Sequence, residues 1–164
     1  MITTLKQSFD KFKQSYVNLD SSNTSRARKS RDFLISNIKN LPYSIENFPK
    51  IYEDKIIKFG SFARSTKIKP LDDIDLIIAF SGNGSTYNEY MNKIDIYVPE
   101  EAKILRSLCD NINVLNSIKV VNKLRDSFRN LSHYQKAEIH RRQEAVTLKL
   151  TSYKWNFDIV PAFF

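Results

Sequence analysis

The chain reads as an α/β (α+β) protein, a mixed sheet with helices packed against it. Three observations lead there. Two apolar patterns with three- and four-residue spacing occupy the first 50 positions. Short runs rich in Ile, Val and Phe, bounded by Gly, Pro or Asp, follow them. The resulting order is helix, helix, strand, turn, strand, helices, strand, strand, which is a sheet with helices laid on it. A length of 164 residues fits one domain over 1–164, with leading helices in 1–50 and the sheet in 51–164.

Leu5, Phe9, Phe12, Tyr16 and Leu19 make the first helical stripe, with Lys6, Lys11 and Lys13 off it. "DSSNTS" interrupts it, and Thr24 or Ser25 is placed to cap the next helix. "RARKSRDFLISNIKNL" carries Phe33, Leu34, Ile38 and Leu41 on its apolar side, and Pro42 is expected to end it. Its cations Arg26, Arg28, Lys29 and Arg31 read as a solvated face, with phosphate contact as the alternative. "DKIIKF" is a short strand closed by Gly60, and "SFARST" leaves room for one helical turn. "IDLIIAF" is a strand expected to be buried on both faces. "SGNGSTYN" is a loop. Pro99 opens the helical pattern "PEEAKILRSLCDNI", and Ile118, Val121, Leu124 and Phe128 mark a helix over roughly 117–131. "EAVTLKL" alternates as a half-buried strand, and "KWNFDIVPAFF" is another, with Asp158 inside it.

Composition excludes several classes. With 41% hydrophobic residues the chain can bury a core. No apolar run approaches the length of a bilayer span, so no membrane partner is expected. The first sixteen residues carry charges where a secretory leader needs an apolar stretch. One cysteine, Cys109, excludes an internal disulfide and a cysteine-based zinc cluster, and suits a cytoplasmic setting. Net charge is +8, distributed as +5 over 1–50, −2 over 51–100 and +5 over 101–164. An acidic middle in a basic frame suits a metal seat that attracts a polyanion.

The chemistry lies in "GSFARSTKIKPLDDIDLIIAF", Gly60 to Phe80. In a strand, Asp73 and Asp75 point to one face, about 7 Å apart at Cα, with Ile74 turned into the core. Two carboxylates there repel unless a divalent cation joins them, and Mg²⁺ takes one or two carboxylates plus substrate phosphates. Gly60 lets a phosphate approach the backbone, the Ser61 hydroxyl and the following amides are donors, and Arg64 and Lys67 add positive charge. Asp158 lies in an apolar strand, where a lone carboxylate is costly. It can serve as a third ligand or accept the proton of an attacking hydroxyl. Asp72 reads as a turn residue. His133 and His140 are taken as solvated imidazoles in a polar connector. Cys109 and Trp155 are taken as packing.

Together, Gly60–Ser61, Asp73-Ile-Asp75 twelve positions on, and "NFDIVPAFF" resemble the nucleotidyltransferase superfamily. Within it they are most similar to the N-terminal catalytic domain of the bacterial CD-NTases, the cyclic-oligonucleotide synthases related to the oligoadenylate synthases. "RRQEAVTLKL" resembles the paired strands that precede the family's third aspartate. The resemblance implies a polymerase-beta-like fold with Asp73, Asp75 and Asp158 as metal-binding and catalytic carboxylates. Gly60 and Ser61 match the phosphate-binding step, and Thr66 a structural position. It implies Mg²⁺ or Mn²⁺ as cofactor and nucleoside triphosphates as substrates. The product would be a cyclic or short oligonucleotide second messenger in antiphage defence, made with or without a nucleic-acid or protein activator. Family members continue into a helical C-terminal half that closes over the nucleotides, so such a half or a partner subunit is expected. An RNA end, a protein or a small molecule as acceptor, or a non-catalytic nucleotide- or RNA-binding module, are the alternatives.

Overall fold

The computed structural model describes residues 4–110 and 113–164. Thr4 caps the first helix, α1 (Leu5–Phe12), through a reciprocal pair with Gln7. None of its residues is buried; a single π-helical turn (Lys13–Val17) leads out of it. The long helix α2 (Ser21–Ser44) begins earlier than its sequence pattern indicates. Asp20, not Thr24 or Ser25, is the cap, and its side chain accepts the Asn23 N–H. Pro42 does not end α2 but sits in its last turn, where a missing N–H forfeits only one helical bond. Ala27, Leu34, Ile38 and Leu41 form its buried stripe. Arg31 departs from the solvated face: it is 8% exposed and pairs with Asp32 at 2.9 Å.

A five-stranded mixed sheet follows, in the order β1-β2-β7-β6-β5. Its strands are β1 (Ile51–Phe59), β2 (Asp73–Phe80), β5 (Glu138–Arg142), β6 (Ala145–Lys149) and β7 (Asn156–Phe163). β2 and β7 run parallel, and the other pairs are antiparallel. The short helix α3 (Gly60–Ala63) turns the chain at the end of β1. β3 (Thr86–Glu89) and β4 (Ile94–Tyr97) form a separate hairpin.

After it, "PEEAKILRSLCDNI" yields one helical turn, α4 (Lys103–Arg106), rather than a helix of full length. The chain folds back where Cys109 bridges to Leu115 and the Lys119 ammonium donates to the Cys109 carbonyl. Asn111 and Ile112, the end of that pattern, lie outside the described residues. Helix α5 (Ser117–Arg129) matches the sequence reading closely and is capped by Asn116.

Side chains of α2 and α5 meet one face of the sheet. Ile74, Leu76, Ile78, Phe157, Ile159, Val146 and Leu148 point into that core with Leu34, Ile38, Leu124 and Phe128. Cys109 is buried in a smaller cluster with Val98, Ala102 and Leu105. Over its first half β2 alternates, with only Ile74 and Leu76 buried, and it becomes buried on both faces only at Ala79 and Phe80. The other face of the sheet is open, and every candidate carboxylate is on it. Among the described residues, no helix is long and apolar enough to cross a membrane.

Candidate active site

Strand register builds the open face row by row. Phe59 pairs with Asp75, Asp75 with Asp158, Asp158 with Thr147 and Thr147 with His140. Directly paired residues share a face, so one row crosses all five strands with two carboxylates adjacent at its centre. The row before it holds Asp73, Asn156, Lys149 and Glu138, and the row after it Ile57, Ile77 and Val160. Asp73 therefore sits two residues up the same strand from Asp75 and faces the same way. The parallel pairing of β2 with β7 brings Asp158 beside Asp75 across 83 positions of sequence. Neighbouring strands are about 4.8 Å apart, so these carboxylates interact strongly.

Their electrostatics follow. Burial, then the charges of Asp73 and Asp158, push the Asp75 carboxyl above its ordinary range; Lys67 and Arg64 oppose the rise. Asp73 is also pushed up, first by Asp72 beside it and then by burial. Asp72 is held at about 2, first by its hydrogen bond with Asp73 and then by Lys67. Asp72 is thus more than a turn residue: the Lys67 ammonium is paired with both Asp72 and Asp73. Burial would lower the Lys67 pKa, but those two hydrogen bonds carry it above its usual value.

Gly60 is the other wall. Its φ is +73°, a left-handed conformation that side chains other than glycine rarely take. A Cβ there would lie 2.7 Å from Asp75 Cγ and closer still to its Oδ2. The missing side chain is the space that the Asp75 carboxylate occupies. Ser61 follows at the first turn of α3, and its carbonyl accepts the Thr66 and Lys67 N–H groups at 2.9 and 3.1 Å. The Thr66 hydroxyl also reaches that carbonyl, at 3.4 Å, a structural role. Arg64 caps α3, solvent-exposed, near enough to act on Asp75. Gly60, Ser61, Lys67, Asp73, Asp75 and Asp158 are thus brought to one end and one face of the sheet, with Arg64 at its margin.

Sequence reasoning passed over two residues on this face. Thr147 is 4% exposed, and its Oγ1 donates to Asp158 Oδ1 at 2.6 Å. Its only sequence signal is a hydroxyl between Val146 and Leu148 in a strand that pairs with the Asp158 strand. His140 is not in a connector but in β5, at the end of the carboxylate row. His133 is exposed, as expected of a solvated imidazole, but it sits in a short 3-10 turn (Ser132–Tyr134) and meets Phe33 edge-on at 5.3 Å. Thr147→Val is expected to lower turnover about tenfold and to cost about 1 kcal/mol of stability, because the half-buried Asp158 carboxylate loses its hydroxyl donor. Thr147→Ser restores both if the hydroxyl is the cause. Steady-state kinetics and thermal melts of the two variants check this.

The residues fit a hard divalent cation. Three carboxylates share a face, two of them are held above their ordinary pKa, Asp75 by burial and then its like-charged neighbours and Asp73 by Asp72 and then burial, and an ammonium already stands as a cation beside Asp73. Among the described residues no three His, Cys, Asp or Glu side chains are gathered to hold a metal by themselves.

Comparison with known proteins agrees with the geometry. Residues 41–143 match the nucleotidyltransferase domain family. A probable cyclic nucleotide synthase of Bacillus cereus strain VD146 is 54% identical over 164 residues, 99% of this chain and 50% of the relative. The chain therefore spans about half the length of the curated relative it matches. Two solved structures of CdnC from E. coli MS115-1 superpose with TM-scores of 0.60. One is a complex with HORMA-deltaN, the other is with ATP, and each is 19% identical to this chain. Both cover 96% of this chain, which corresponds to 41% and 40% of theirs; at that identity the likeness is one of fold.

Proposed function

The chain belongs to the nucleotidyltransferase domain family, and from that premise we propose that it is the catalytic domain of a metal-dependent synthase. In this reading the enzyme joins nucleoside triphosphates into a cyclic or short oligonucleotide second messenger, in bacterial antiphage defence. The observation that carries the reading is the register Asp75↔Asp158, with Asp73 on the same strand face and Gly60–Ser61 beside it. The 54% identity to a probable cyclic nucleotide synthase supports the choice of acceptor, another nucleotide, within the family.

The reaction requires an acceptor hydroxyl oxygen to attack the α-phosphorus of a triphosphate. A P–O bond forms, the bond to the β-phosphate bridge breaks, and pyrophosphate leaves. Asp73 and Asp75 would hold Mg²⁺ or Mn²⁺ together with the phosphate oxygens. When bound, the cation neutralises the triphosphate and eases ionisation of the hydroxyl. Asp158 takes the hydroxyl proton, directly or through water, and Thr147 fixes the carboxylate by holding Oδ1. Gly60 leaves room for Asp75 and for close approach of phosphate. Ser61 donates to a phosphate oxygen, and Arg64 and Lys67 offset its charge. Lys67 has a second duty: it neutralises Asp72 and Asp73 until a cation arrives. The half-exposed Ile57, Phe59 and Ile77 on this face need cover, which we assign to a further helical half or a partner subunit.

The test is incubation with four labelled nucleoside triphosphates and Mg²⁺ or Mn²⁺, with no added acceptor. The expected result is pyrophosphate and a nuclease-characterised oligonucleotide, absent from Asp73→Ala/Asp75→Ala. Product that survives the double change sinks the mechanism. Transfer only when RNA or a small molecule is added moves the acceptor outside the nucleotide pool.

A further inference from the structure

Lys67 joins the two walls of the candidate site. Its main-chain N–H donates to the Ser61 carbonyl at 3.1 Å, which fixes the residue at the Gly60–Ser61 step. Its side chain, only 16% exposed, reaches the start of β2, where the ammonium pairs with both Asp72 and Asp73. The neighbouring cations do neither. Arg64 is exposed and forms no ion pair among the described residues. The Lys69 ammonium donates to the Gln14 and Ser15 carbonyls at 2.7 and 3.2 Å. Asp75 and Asp158 take no ion pair among the described residues either, so Lys67 is the cation in contact with the candidate seat, and Asp73 is where it touches.

An ammonium and a divalent cation compete for the same Asp73 oxygens. An ion that arrives alone has to displace Lys67 and then sit beside the charge it displaced, in a partly buried place where like charges repel strongly. A triphosphate alters that balance, because its oxygens accept the ammonium in charge-assisted hydrogen bonds. Lysine suits such an exchange. Its charge is compact and its stem flexible, so the ammonium can swing while the main chain stays on the Ser61 carbonyl. Asp72 precedes β2 and is 60% exposed, and it leaves the ammonium one partner when Asp73 is given up.

We propose that Lys67 is a positioning residue that bars the seat to a free divalent ion and opens it to one that arrives with a triphosphate. The inference rests on the reading of Asp73 and Asp75 as that seat. It goes beyond neutralisation, because one side chain must oppose the ion and favour the nucleotide. The coupling is reciprocal: an ion bound more easily once phosphate has taken the ammonium tightens the triphosphate by the same factor.

The test measures each ligand without the other. Mn²⁺ alone is titrated into the chain and followed by loss of the free-ion electron paramagnetic resonance signal. A non-hydrolysable ATP analogue is titrated in EDTA and followed by calorimetry. Lys67→Met should bind Mn²⁺ about tenfold more tightly than the native chain and the analogue about tenfold more weakly, a size usual for coupling between sites. Lys67→Gln should move both affinities in the same directions, and Lys67→Arg should keep Mn²⁺ binding near its native strength. Arg64→Met, which removes a nearby charge that contacts no carboxylate, should leave Mn²⁺ binding near native as well. Thermal melts establish that each variant is folded. Lys67→Met binding Mn²⁺ no more tightly than the native chain overturns the proposal. So does weakening of both ligands, which is a structural role, or an equal gain from Arg64→Met, which is a general field. The gain should vanish when Asp73→Ala/Asp75→Ala is added to Lys67→Met. A gain that survives overturns the seat itself, a failure distinct from that of Lys67 on an intact seat.

Discussion

Asp75→Asn is expected to lower product formation by about a thousand-fold, the scale of losing a group that stabilises charge in a transition state. The same exchange should raise the melting temperature. The reason is the row Asp75–Asp158 with Asp73 above it: burial and two like charges make an ionised Asp75 unfavourable in the folded chain. The sign with pH is fixed by the direction of that shift. A carboxyl whose folded pKa is raised adds stability below its unfolded value, about 3.9, and loses it as pH rises through the folded value. Melts of the native chain and Asp75→Asn should therefore converge near pH 3 and separate toward neutrality, with the variant the more stable. A variant that is less stable at neutral pH would mean that Asp75 is held by favourable partners rather than strained by neighbours. Added Mg²⁺ with a non-hydrolysable triphosphate should narrow the gap by stabilising only the native chain.

Gly60→Ala is the second large effect. A left-handed backbone costs a non-glycine residue about 1–2 kcal/mol. Overfilling a packed position costs about 1–3 kcal/mol more. Asp75 must move, and a displacement near 1 Å at a reacting centre costs about a hundred-fold in rate. The two contributions separate in a double-mutant cycle. In an Asp75→Ala background, where the carboxylate that collides with the new Cβ is gone and only a 3.1 Å contact with the residue 75 Cβ remains, Gly60→Ala should cost little beyond the backbone part. Equal costs in both backgrounds would show that the glycine is needed for its conformation alone, not for the room it gives Asp75.

The parts of this fold legible in sequence are those whose side chains alternate between core and open face or repeat with helical spacing. β2, β6, β7, α2 and α5 were found because Ile74, Leu76, Val146, Phe157, Ile159, Leu34 and Leu124 are buried in step with their elements. β3 has no buried residue and β5 only Ile139, so neither leaves an apolar period to read. α4 misleads for the opposite reason: Ala102, Leu105 and Cys109 have helical spacing, but they serve a small cluster that the chain reaches by folding back. At the site, Asp73, Asp75 and Asp158 are visible as acids on apolar strands. Thr147 is not, because a hydroxyl on a half-buried strand is ordinary until the register places it on Asp158. The double pairing of Lys67 with Asp72 and Asp73 is equally invisible, since it depends on how the loop from Ala63 to Asp72 returns to the strand.

The strand order β1-β2-β7-β6-β5 has a consequence for the timing of assembly. The middle strand of the sheet is the last of the five to be synthesised. Until Asn156–Phe163 leaves the ribosome, β2 and β6 are separate edges with unsatisfied backbone groups, and the growing chain holds two incomplete half-sheets. Insertion of that strand closes both edges and delivers Asp158 to Asp75 in one step. A partly made chain therefore exposes sticky edges and has not yet brought Asp158 to Asp75. Pairing that spans so much sequence is also slow to form, and the two open edges are what an incomplete chain exposes meanwhile.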